Sequence, residues 1–302
     1  MKQIRGKVIV CCLLILALLA TFVTGCKGTE TTATAPIIPP LSSFVIDATD
    51  LNYFTSEADV TPTSGNAASL VQLASFTSGS GDSYSSPQYA IGTKQNWQFA
   101  AFNVGLWSGI IVVGLAVPVA AFIESFNHVP QQQTDYSWIW SYNVSLLGAV
   151  YTAELHGKFI DTGVRWDMYI SKQGAYTDFQ WYYGESDLPA TEGFWILKNN
   201  PADPTDFIQI DWGRDLAEGT HDIKYTNIVP GGPENGGYIW HGVTAPEPFD
   251  RFFNLFNKGL NNYTYIEWNS TTKAGRVKDA KHFGSNEWHY WDSNHIDVEG
   301  TS

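Results

Sequence analysis

The chain has 302 residues, enough for one large domain or two ordinary ones. It carries 30 acidic against 17 basic residues, a net charge of −13, together with 12 Trp, 15 Tyr and 17 Phe. That balance argues against a nucleic-acid or anionic-lipid surface, because both need clustered Lys and Arg.

The first element is a leader, residues 1–25. Lys2, Arg5 and Lys7 form a positive segment, Val8 to Phe22 an apolar one, and Val23-Thr24-Gly25-Cys26 follows. An ordinary signal peptide ends in small residues and needs no cysteine. The stretch resembles the lipobox of bacterial lipoproteins. The resemblance covers only the leader and anchor, and it implies cleavage before Cys26, acylation of that thiol (diacylglycerol, hence palmitate labelling) and a membrane anchor at Cys26. Loss of Lys2, Arg5 and Lys7 would take the net charge from −13 to −16. Cys11 and Cys12 lie in the leader, so the mature chain would hold no free thiol and no disulfide, and its stability must come from its core. Lys27, where inner-membrane lipoproteins of this type carry Asp, implies an outer-membrane address if the host has one, and otherwise the outer face of the plasma membrane. Residues 26–40, with the run KGTETTATAPIIPP, read as a lipidated flexible tether of about 40–50 Å when extended.

Residues 41–302 are expected to form a single globular domain, with a mainly helical or irregular part at 41–130 and an antiparallel β-meander at 131–302. Leu41 to Asp59 reads as a short strand or extended segment followed by a helical turn. Asn66 to Phe76 reads as a short helix capped by Asn66, and Thr77 to Pro87 as a Gly/Ser loop. No Gly-rich turn is followed by Lys-Ser or Lys-Thr, so a phosphate loop is excluded. Phe99 to Ile123 contains no charged residue. A helix that is apolar all round sits inside a protein or a membrane. The flanking Glu124, His128 and Asp135 lack the Lys/Arg excess expected of a cytoplasmic flank, which favours a buried helix over about 99–126. Pro118 should bend or break it, since it removes a donor and clashes with the carbonyl of Gly114.

From Tyr136 the texture becomes one of short alternating runs divided by Gly, Pro, Asn and Asp. Twelve candidate strands follow: Tyr136–Val144, Gly148–His156, Val164–Ser171, Thr177–Tyr183, Gly193–Lys198, Asp206–Trp212, His221–Asn227, Gly237–Val243, Asp250–Phe256, Tyr263–Trp268, Gly275–His282 and Glu287–Trp291. Val164, Trp166, Met168 and Ile170 alternate with Arg165, Asp167 and Tyr169, giving one apolar and one polar face. The expected fold is mainly β (α+β): a curved sheet or incomplete up-and-down barrel wrapped around the buried apolar helix, each covering the other. At the level of architecture this resembles periplasmic lipoprotein carriers. In texture it resembles β-meander envelope lipoproteins.

No catalytic residue, metal site or cofactor is expected. His282, His289 and His295 lie near Asp292 and Asp297 without a zinc-type spacing. Glu185, Asp187 and Glu192, and Asp211, Asp215 and Glu218, are carboxylate groups around turns that a glycosidase could use, but acidic turns are common in so acidic a chain. There is no Gly-x-Ser-x-Gly elbow and no cysteine nucleophile outside the leader and anchor. Trp166, Met168 and Ile170, with Gly105 and Gly109 of the helix, are candidate ligand-facing residues. Trp138, Trp140, Trp181 and Trp240 are a candidate aromatic binding surface. The expected function is that of a lipid-anchored cell-envelope protein binding a protein or glycan partner. The alternatives are a carrier or sensor of an apolar ligand between sheet and helix, and, third, an enzyme such as a glycosidase. Replacing the anchor residue tests the leader: Cys26→Ser should leave the chain uncleaved and unlabelled by radioactive palmitate, whereas normal labelling would contradict the lipobox.

Overall fold

The structure is a computed structural model that describes residues 33–55, 91–146, 148–245 and 247–300, the side chains of 55 and 107–113 excepted. The leader, Cys26 and the candidate helix Asn66–Phe76 lie outside the described residues. The described residues from Ala35 onward belong to one compact unit. Ala35 and Ile38 already pack against its core, so the packed chain begins within the stretch expected to be tether.

The described residues form one antiparallel up-and-down sheet of fourteen strands, each paired with the next in sequence. They are β1 (Gln131–Gln132), β2 (Trp138–Leu146), β3 (Ala149–Ile160), β4 (Gly163–Lys172), β5 (Tyr176–Ser186), β6 (Glu192–Asn200) and β7 (Asp203–Asp215). Then come β8 (Thr220–Asn227), β9 (Tyr238–Val243), β10 (Arg251–Asn257), β11 (Asn262–Trp268), β12 (Gly275–Asp279), β13 (His289–Trp291) and β14 (Asp297–Val298). The sheet is not closed. Its margins, β1 and β14, are two residues long, which keeps the unpaired edges short. The twelve expected strands correspond to β2–β13. The candidate strand Gly275–His282 stops at Asp279, whose side chain accepts from the backbone of Lys281 and His282 and caps a helical turn, Ala280–Phe283.

Alternation puts Val164, Trp166, Met168 and Ile170 of β4 on the buried face. On that face several tryptophans stand opposite glycine on a neighbouring strand. Trp166 pairs with Gly157 and Gly184, Trp195 with Gly184, Trp212 with Gly193, and both Trp268 and Trp291 with Gly275. The glycines leave room for the indoles: a Cβ on Gly275 would lie 2.3 Å from the Trp291 ring, and one on Gly184 would lie 2.6 Å from that of Trp195. A small residue beside a large one lets a sheet face made of Trp lie flat enough to be covered.

Among the described residues four segments cover it: a 3₁₀ turn at Leu41–Ser43, and helices α1 (Ala48–Thr55), α2 (Gln95–Gly114) and α3 (Ala116–Ser125). Where a short strand or extended segment followed by a helical turn was expected after Leu41, the chain makes a 3₁₀ turn and no strand, the helix follows as α1, and the Phe44 ring stacks on Phe122 at 4.9 Å and meets Tyr182 and Trp195. The expected single helix is two helices. The break falls at Leu115, and Pro118 sits in the first turn of α3, where its missing N–H leaves no helical bond unmade. α2 packs on β12, β13 and β14, and α3 on β2 and β3, so the pair reaches both ends of the sheet. Trp97, Ala100, Ala101, Val104, Ala121 and Phe122 are buried, but Phe102 and Ile123 are exposed, so burial is one-sided rather than complete. Among the described residues no helix is long and apolar enough to cross a membrane.

Polar side chains pin each cover to the sheet. Asp297 of β14 is buried and accepts from the backbone N–H of Gln95 (2.9 Å) and Asn96 (3.0 Å) and from the Thr93 hydroxyl. It caps α2 from about 200 residues away in sequence, where the helix dipole favours an anion. Asp50 of α1 meets His241 Nε2 at 3.1 Å and Arg251 Nε at 3.2 Å, while His241 Nδ1 bonds the Phe252 carbonyl. The Tyr142 hydroxyl donates to the carbonyl of Ala121 in α3 at 2.7 Å. Asp297→Ala removes three hydrogen bonds at a buried helix start and should destabilise the protein by at least about 1–2 kcal/mol. Thermal denaturation should show a lower midpoint; an unchanged midpoint would contradict the cap.

Candidate functional site

The side chains that the alternation turns away from the helices are the ones open to a partner. On β4–β7 they neutralise one another. Arg165 pairs with Asp167 at 3.0 Å and Lys198 with Asp206 at 2.7 Å, while the Tyr183 hydroxyl donates to Asp206. The hydrogen bond to Asp167 raises the Arg165 guanidinium above its ordinary pKa, and burial raises that of Tyr183.

On β8–β13 the outer face is aromatic. The register aligns three cross-strand rows: Thr226, Tyr238, Phe256 and Tyr263; Lys224, Trp240, Asn254, Tyr265 and Lys278; and Asp222, Gly242, Phe252, Glu267, Arg276 and Tyr290. The rings touch as cross-strand pairs do: Phe256 stacks on Tyr263 at 4.4 Å, and Trp240 meets Phe252 edge-on at 5.1 Å. Gly242 opens the space that the Phe252 ring fills, since a Cβ there would lie 2.3 Å from it. Burial among these rings raises the Tyr238 pKa, with Tyr265 and Tyr263 adding to it.

Charge on this half is arranged differently. Both acids are occupied: Trp240 Nε1 donates to Asp222 at 2.9 Å, and Arg276 holds Glu267 at 2.6 Å. Lys224 lies over Tyr238 at 4.3 Å, and Lys278 over Tyr265 and Trp288, each at 4.8 Å. Asp211 stands across from Lys224 in the register but takes the Gln209 amide at 2.7 Å. Among the described residues neither ammonium has a carboxylate within ion-pair distance.

The residues singled out from sequence fall into two groups. Trp138, Trp140 and Trp181 are buried and belong to the core, so they cannot form an exposed aromatic surface: alternation turns Trp138 and Trp140 toward the apolar face, and a bulge opposite Met168 and Tyr169 buries Trp181 next to Tyr182. Trp240 alone of the four lies on the outer face. Trp166, Met168 and Ile170 are 0 % exposed, so no water-sized space touches them. Gly105 and Gly109 lie on α2, which packs on β12–β14 at the other end of the sheet from β4.

The groups weighed for chemistry serve local structure. Asp187 accepts from the Thr191 and Glu192 backbone; burial works against its charged form, but these bonds outweigh it and hold the carboxyl below its usual pKa. Asp215 receives the N–H groups of Ala217 and Glu218 at a turn. His282 stacks on Phe99 at 3.7 Å, His289 on Phe283 at 3.8 Å and His295 on Trp97 at 4.5 Å. Burial lowers the pKa of His282 and of His289. Among the described residues no group of three or more His, Cys, Asp or Glu is placed to hold a metal ion. An open cleft of about 510 Å³ at the β4–β5 turn, lined by Thr152, Ser171, Lys172 and Tyr176, brings no acid–base pair together.

Tyr238, Phe252, Tyr263, Tyr265, Lys224 and Lys278 were not anticipated as a site. The alternation of Tyr263, Tyr265 and Glu267 against Thr264, Ile266 and Trp268 marks the first two as outward, but only the register shows that they join Trp240. No protein-family model, curated protein or solved structure matches the chain.

Proposed function

We propose that this chain is a lipid-anchored cell-envelope protein of interaction type, held at the membrane through Cys26 and binding a protein or glycan partner on the outer face of β8–β13. In a host with an outer membrane, Lys27 assigns it there. The observation that carries the reading is the division of labour between the two faces. The apolar face is filled by the chain itself: Phe44 and Phe122 stack on each other and lie against Trp195. A carrier would need that space for its ligand. The outer face keeps half-buried rings and two lysines that, among the described residues, have no carboxylate partner, and such amphipathic rings are good anchors for a partner.

Photo-crosslinking in the native host tests this. A photoreactive residue at Tyr263 or in place of Trp240 should give specific adducts. The same residue at Asn143 or Thr152, exposed on β2 and β3, should not. Adducts of equal yield at all four positions, or none at the first two, would overturn the reading.

A further inference from the structure

We infer that the outer face of β8–β13 binds an acidic glycan, a chain of sugar rings bearing carboxylate or phosphate groups, laid across the strands along the row Lys224, Trp240, Asn254, Tyr265 and Lys278. The inference rests on the binding reading above and names its ligand class.

Three observations carry it. The first is geometry. The row crosses five consecutive strands, β8 to β12, so Lys224 and Lys278 stand about 19 Å apart at ordinary strand spacing, the reach of a short oligosaccharide. The second is the chemistry between the two cations. Trp240 and Tyr265 offer ring surface on which a pyranose can stack, and Asn254 between them offers an amide that can both donate and accept. The third is charge. The protein carries −13 overall, yet here Glu267 is neutralised by Arg276, while Asp222 accepts from Trp240 Nε1 and Asp211 from the Gln209 amide, so neither of these two acids closes on a lysine of the row. Lys224 and Lys278 have ring faces as their neighbours instead. A cation over a ring keeps its positive charge available, because the ring carries only a quadrupole. Positive charge at both ends of a stacking track in an acidic protein fits a polyanion and discriminates against a neutral polymer.

A lipid surface is a worse match. Among the rings of these rows only Tyr263 is exposed, at 43 %; the others lie against one another instead of projecting as an inserting patch would.

The test titrates the full chain, solubilised in uncharged detergent, with polygalacturonate and reads tryptophan fluorescence and heat. Dextran serves as the neutral polymer and phosphatidylglycerol vesicles as the anionic surface. Polygalacturonate should bind and dextran should not. Raising the salt to about 0.5 M should weaken the binding. The double variant Lys224→Gln/Lys278→Gln should bind about tenfold less tightly with an unchanged melting midpoint, while Lys172→Gln, on β4 away from the row, should bind as the parent does. Equal binding of dextran, equal binding by the double variant, or binding of vesicles alone would overturn the acidic-glycan inference. Absence of polymer binding while crosslinked adducts persist at Tyr263 and Trp240 would overturn it too, yet leave the binding face standing. Loss of both would remove the face itself.

Discussion

A sheet whose inner face is built from Trp, Tyr and Phe has to hide that face from water, and in this chain the helices around Pro118 have the matching need. Mutual burial of these two surfaces is the constraint on which the rest depends. It explains why α2 and α3 reach opposite ends of the sheet, why the 3₁₀ turn at Leu41 places Phe44 between Phe122 and Trp195, and why glycines recur opposite tryptophans. Each glycine removes a side chain where an indole needs the volume, so large rings pack at interior density without forcing the strands apart. With no disulfide expected in the mature chain, this packing and the carboxylate pins at Asp50 and Asp297 hold the fold.

Those pins show what a one-dimensional pattern can and cannot reveal. Strand alternation is a local signal, and β2 to β12 could be read from it because each run is long enough to repeat, whereas β13 holds only three residues. β1 and β14 are two residues long and carry no period. The helix break was legible from Pro118, although it appears one turn earlier, at Leu115, because proline is tolerated in the first turn. The cap of α2 was not legible at all: its carboxylate comes from Asp297, at the far end of the chain. Likewise no local signal joins Asp50 to His241, 191 residues on, or to Arg251, 201 residues on.

The candidate site was legible in kind but misplaced. Aromatic enrichment is real, yet most of the tryptophans first considered face inward, because a Trp on a half-buried strand gains more from burial than from exposure. What separates the outer face of β8–β13 from that of β4–β7 is the state of its charges rather than its rings. On β4–β7 cations and carboxylates close on one another; on β8–β13 Arg276 does the same with Glu267, but Asp222 accepts from Trp240 and the two lysines rest on rings. Such an arrangement depends on cross-strand register, which no single strand contains.

Phe44, Phe122 and Trp195 pack against one another, so the protein fills its own apolar face. Native mass spectrometry of the chain from Lys27 onward, purified without detergent, tests it most directly. A clean mass equal to that of the polypeptide is the expected result. A reproducible extra mass, released by organic solvent, would mean that sheet and helices enclose a ligand, and would contradict the account.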